Sequence, residues 1–157
     1  SPSITTGYVL KWNGTSWAPA QEAGASGSGT TGLQSRTDVS KISASLANDA
    51  TDSNVNAEGY KSYVLLGITT DADAWVRVYS TAAARLADLN RSEGTDPSPG
   101  SGVIAEVRVN GTQMISPGTI GFNYETAPVN TIYLSVSNRS GSTQQITTTL
   151  KVIQLEA

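Results

Sequence analysis

The chain has 157 residues and a net charge of −3 from ten basic and thirteen acidic side chains, with neither cysteine nor histidine. Disulfides, thiolate nucleophiles, the usual zinc and haem ligands and the commonest general base are therefore excluded, and no basic footprint for nucleic acid is present. No apolar run approaches the ~20 residues that span a bilayer, and Ser1-Pro2-Ser3-Ile4-Thr5-Thr6 lacks the charged and apolar parts of a secretion signal, so no membrane insertion is expected.

The composition is rich in Thr, Ser, Ala, Gly and Val and only 15% charged, which points to an all-β chain with many turns. At this length a domain buries roughly two-thirds of the surface its unfolded form exposes, enough for a real core. The first element is a hairpin over residues 7 to 20, in which two short aromatic-bearing strands flank Asn13-Gly14, a pair that tolerates the positive φ angles of tight turns. Strand alternation puts Tyr8, Leu10 and Trp12 on one face, with Trp17 on the return strand. A lone two-stranded hairpin is marginal in water, so these side chains need a covering surface: the chain's own body, a neighbouring copy or a host particle.

Residues 23–35 follow as a Gly/Ser-rich linker with almost nothing to bury, dividing an N-terminal arm (1–22) from a body (36–157). In the body, strand-like runs recur at Val39–Leu46, Ser53–Ala57, Tyr60–Thr69, Ala74–Tyr79, Val103–Val109, Thr112–Ile115, Thr119–Asn123, Ile132–Asn138 and Gln144–Leu155. That spacing suits an antiparallel β-sandwich, jelly-roll-like, or a barrel. In Trp75-Val76-Arg77-Val78-Tyr79 the valines take one face and the large amphipathic side chains the other; Ile132, Leu134 and Val136 alternate with Tyr133, Ser135 and Ser137 in the same way. One short helix is expected after Ser80 or Thr81 as N-cap, over Ala82 to Leu89, docked by Leu86 and Leu89. A long polar loop, Asn90 to Gly102, is broken by Pro97-Ser98-Pro99-Gly100.

The segment Val9-Leu10-Lys11-Trp12-Asn13-Gly14-Thr15-Ser16-Trp17-Ala18-Pro19-Ala20 resembles a repeat found in virion proteins of tailed phages, particularly tail-fibre-like proteins of cyanophages. The body is similar to the domain that follows Gly-rich linkers in such proteins. The resemblance is carried by Ala74-Trp75-Val76-Arg77-Val78-Tyr79, Ala84-Arg85-Leu86-Ala87-Asp88, the run from Arg91 to Val107, Ser116-Pro117-Gly118-Thr119-Ile120-Gly121-Phe122-Asn123 and Asn138-Arg139-Ser140-Gly141-Ser142. It covers nearly the whole chain. It implies a virion structural component, made in the bacterial host cytoplasm and displayed on the particle surface, with other capsid or tail proteins as partners and a homotrimer as its assembly.

Candidate sites are few. Tyr8, Leu10, Trp12 and Trp17 are the expected anchoring residues. Arg91, Glu93 and Asp96 make the loop a candidate for ligand or subunit contact, while ion pairs among Arg77, Arg85, Arg91, Glu93, Asp96 and Glu106 would instead tie the loop to its own sheet. Asp49, Asp52, Asp71 and Asp73 read as turn aspartates rather than cation ligands, because the EF-hand spacing is missing, and no metal or cofactor is expected. Trp12, Trp17, Trp75, Tyr79, Tyr124 and Tyr133 offer rings on which a host surface glycan would stack, although strand aromatics more often serve core or interface. Catalysis is not expected: no carboxylate pair stands out, and no Gly-x-Ser-x-Gly elbow or phosphate loop is present. Asn13-Gly14-Thr15, Asn110-Gly111-Thr112 and Asn138-Arg139-Ser140 match the glycosylation sequon but read as turns.

Overall fold

The structure, a computed structural model, describes residues 8–21 and 34–157. The expected Gly/Ser linker lies, through residue 33, outside the described residues. The chain divides into two units, Ser1–Leu33 and Gln34–Ala157.

In the first unit, β1 (Tyr8–Trp12) pairs antiparallel with β2 (Trp17–Gln21), Trp12 opposite Trp17, Leu10 opposite Pro19 and Tyr8 opposite Gln21. The Asn-Gly turn is present, but as the first half of a longer connection over residues 13–16. Gly14 takes φ +99°, and the Asn13 side chain makes the turn: its Oδ1 accepts from the backbone N–H groups of Thr15 and Ser16, each at 2.9 Å. This is the local bonding that favours asparagine in turns.

The second unit contains β3 (Arg36–Ile42), β4 (Thr51–Glu58), β5 (Ser62–Tyr79), α1 (Ala82–Ala87), β6 (Val103–Phe122), β7 (Thr131–Asn138) and β8 (Thr147–Glu156), with the strands joined antiparallel in one curled sheet. This is the expected all-β antiparallel, sandwich-like architecture with one short helix. Its organising element is the long β5–β6 ribbon. Residues 62–70 of β5 pair with β8, which pairs with β3; residues 74–79 pair with β7, which pairs with β4. β6 runs along the opposite edge of β5 through both halves. Two wings thus leave one spine and enclose a core that includes Val39, Val55, Leu65, Ile68, Val76, Leu134, Val136 and Leu150.

Where the sequence suggests separate strands, the structure has bulges. Asp71-Ala72-Asp73 bulge out of β5 between Thr70 and Ala74, and Ile115 to Gly118, with a cis Ser116–Pro117 bond, bulge out of β6 opposite Leu66. Asn110-Gly111-Thr112, expected as a turn, lies inside β6, where Gly111 takes φ +89° beside the β5 bulge. Extra residues bend a strand and increase its twist, which lets one strand serve both wings. Asn138-Arg139-Ser140 does turn: the buried Asn138 side chain donates to the carbonyls of Leu46 and Ser142 and accepts from Ser140.

Candidate functional site

Trp75, Arg77 and Tyr79 project from the outer face of β5, opposite the core valines Val76 and Val78, yet all five are buried. Their cover is α1 together with residues 88–102. Thr81 caps the helix, its Oγ1 accepting from Ala84 N–H at 2.9 Å, and the Ala82 N–H donates to a Glu125 carboxylate oxygen at 2.8 Å. Both bonds satisfy helix N–H groups that have no partner within the helix.

The docked face of this helix is polar. Leu86 and Leu89, expected to dock it, are 70% and 40% exposed, whereas Arg85 and Asp88 are buried. Apolar residues three apart would form a docking stripe if the sheet offered an apolar surface, but the outer face of this wing offers carbonyls, an arginine and a phenol. Arg85 Nη1 donates to the backbone oxygens of Val55 (3.1 Å) and Leu134 (3.3 Å) and to Asn56 Oδ1 (2.8 Å). Its guanidinium carbon lies 5.3 Å from the centre of the Tyr133 ring. Burial pulls its pKa down from the usual arginine value, yet a guanidinium stays charged.

Asp88 is the centre of the cluster. Its Oδ2 accepts from Tyr79 Oη (2.7 Å), Arg91 Nη2 (3.0 Å) and Arg77 Nη1 (3.2 Å), and its Oδ1 from Arg91 Nε (2.6 Å). The side chains of Arg77 and Asp88 are only 1% and 8% exposed. Burial opposes ionisation of Asp88, but hydrogen bonds from Arg91 and Tyr79 and the charges of Arg91 and Arg77 outweigh it and hold the carboxyl below the usual range. Burial, reinforced by the bond to Asp88, pushes the Tyr79 phenol up. A carboxylate that stays ionised and a phenol that stays protonated make this an electrostatic clamp rather than a proton relay. The Arg77 guanidinium lies 3.9 Å over the Trp75 ring, within cation–π range.

The expected loop residues part company. Arg91 bridges Asp88 to Glu106 (2.7 Å) and donates to Thr95 O (2.6 Å). Glu93 accepts from Arg139 Nε at 2.8 Å and pairs with Arg108 at 3.7 Å. Asp96 is exposed and makes no ion pair among the described residues; it borders a cavity of about 520 Å³ with Arg91, Asn90 and Thr95. The turn aspartates also have partners. Asp73 takes a two-pronged bond from Arg108, which lowers its pKa, and Asp71 accepts from Thr147 N–H. Asp52 accepts from the N–H groups of Ala44 and Asn54, and Asp49 pairs with Arg139.

Of the aromatic candidates, Trp75, Tyr79 and Tyr133 are buried. Trp12 and Trp17 are 56% and 66% exposed, with ring centroids 5.9 Å apart. Tyr8 and Leu10 are placed by backbone register on the same strand as Trp12. Tyr124 is exposed and meets Phe122 edge-on at 6.0 Å; the two border a groove of about 530 Å³ with Pro97, Pro99 and Val103. Phe122 and Asp88 are the contributors that sequence reading missed. For Asp88 the signal was present: an acid at a helix C-terminus opposes the helix dipole, so it calls for a cationic partner, and arginines stand at 85 and 91.

No protein-family model, no curated protein and no solved structure matches the chain.

Proposed function

We propose that the chain is a non-enzymatic structural component of a tailed-bacteriophage virion, a surface appendage that serves as a tail-fibre module or head decoration protein and is anchored through its N-terminal arm. The observation that carries this reading is the Trp12–Trp17 pair: two large rings more than half exposed on a two-stranded sheet of their own. Interface anchors are enriched in such side chains, and a hairpin this small gains its stability from a partner. The motif resemblance supplies the class of particle. Capsid or tail proteins are the partners of the arm, the body assembles with further copies as a homotrimer, and the surface of the particle is its location.

Trp12→Ala/Trp17→Ala in the full chain tests this. Particles assembled with the variant are expected to carry at least tenfold less of it than of the wild-type protein, while the purified variant keeps its circular dichroism spectrum. Normal copy number on the particle would overturn the anchoring role.

A second reading, a receptor-binding adhesin for a host surface glycan, is favoured by the exposed Phe122–Tyr124 pair beside the Pro97–Gly102 loop. Sugar C–H faces stack on such rings. It predicts binding of host envelope polysaccharide that is abolished by Tyr124→Ala; no binding by the wild-type protein on a surface-plasmon chip would dismiss it.

A further inference from the structure

Among the described residues the buried cationic side chains are Arg77 and Arg85, and they differ in what faces them. Arg77 has the Asp88 carboxylate at 3.2 Å. Arg85, 6% exposed, makes no ion pair among the described residues: its partners are two carbonyls, the side-chain oxygens of Asn54 and Asn56 and the Tyr133 ring. The charge of Asp52 reaches it, but the Asp52 oxygens are taken by the N–H groups of Ala44 and Asn54. The bonds of Arg85 also crowd one side of its guanidinium. Nη1 donates to three acceptors, whereas Nε and Nη2, with three N–H groups between them, make a single bond, the 3.3 Å contact to Asn54 Oδ1. Unlike Nε of Arg77, which is sealed in without a partner, Nε of Arg85 keeps access to the outside.

Arg85 and Asn54 both line a cavity of about 260 Å³, together with Ser53, Ala82 and Leu86, so the under-used edge is the one turned toward it. No acid lines this cavity, and Glu125 beside it spends Oε1 on the Ala82 N–H. We propose that the cavity is a binding site for a hydroxylated carboxylate of the kind a uronic acid presents, its carboxylate held in a two-pronged bond by the Nε–Nη2 edge of Arg85 and its hydroxyls by Ser53 and Asn54. The parallel N–H groups of a guanidinium edge match the two oxygens of a carboxylate. A buried charge without a counter-ion is costly, so the vacancy favours an anion over a neutral group. Arg85 is the only cation lining the cavity, which suits a single negative charge rather than a phosphate dianion. About 10–15 Å³ of such space admits one water, so the cavity takes far more than two carboxylate oxygens. Its remaining walls offer a hydroxyl, an amide and aliphatic groups, which fit a polyhydroxylated body. The site shares no residue with the Phe122–Tyr124 groove and stands whether or not that groove holds a glycan.

Thermal melts of the full chain test this, with sodium glucuronate as the probe beside sodium acetate, glucose and sodium chloride at matched ionic strength. Glucuronate is expected to raise Tm saturably, by about 2–4 °C with the site filled. Acetate should match it only at roughly tenfold higher concentration or above, and glucose and chloride should give no shift. Arg85→Lys keeps the charge without the fork and is expected to weaken the response at least roughly tenfold. Ser53→Asp, at a half-buried strand position, sets a fixed carboxylate in the cavity and is expected to abolish the response with unchanged circular dichroism, which keeps the test decisive if Arg85→Lys fails to fold. Tyr124→Ala should respond as the wild type does. No shift with glucuronate, an equal shift with acetate, or a full response in folded Ser53→Asp would overturn the site; loss of the response in Tyr124→Ala would overturn it by placing the sugar in the aromatic groove.

Discussion

Asp88 shows how one side chain organises a surface. Four donors from three residues converge on its carboxylate, so Asp88→Ala leaves two buried arginines with too little negative charge. Breaking a buried pair in this way costs about 3–5 kcal/mol, which urea denaturation of the variant is expected to show. The pH dependence follows from the lowered pKa. The folded value lies below the unfolded one, so the contribution is complete above the ordinary carboxylate range near pH 4 and is lost as the pH falls through the folded value. As the pH falls below about 4 the wild-type protein should therefore lose more stability than Asp88→Ala does. The ingredients were legible in the sequence, since the ion-pair set included Arg77, Arg91, Glu93 and Glu106. Their centre was not, because a carboxylate at a helix end declares its partners only once the strand beneath it is known.

At the scale of elements, α1 is a case of correct existence and wrong orientation. Alanine-rich sequence and the Thr81 cap specify a helix, and both are there. The docked face depends on what lies below, and a sheet face lined with carbonyls and Arg77 selects Arg85 and Asp88 over the leucines. Arg85→Ala is expected to lower stability by about 2–3 kcal/mol by orphaning the carbonyls of Val55 and Leu134, whereas Leu86→Asp should stay within about 0.5 kcal/mol of wild type; thermal melts of the two variants side by side check this. The strands show a complementary limit. Alternation placed the inward and outward residues of Trp75–Tyr79 and Ile132–Ser137 correctly, because period two is a local property. Glycine and proline at Gly111 and Pro117 look like chain breaks, and only long-range register turns them into bulges within one strand.

For the whole molecule, composition and turn chemistry were enough for an all-β body with a separate leading hairpin, while the strand order was beyond reach of any local signal. The two wings meet through β5, through β6 along its edge and through the packing between them, and that choice is written in pairings between residues as far apart as Ser62 and Glu156. The shared strand also governs how the body comes apart. Every ladder of the β-body except β3–β8 and β4–β7 is hung on β5, so freeing that one segment dissolves both halves together. Neither half is expected to melt ahead of the other, which leaves the body either wholly intact or wholly open to proteases.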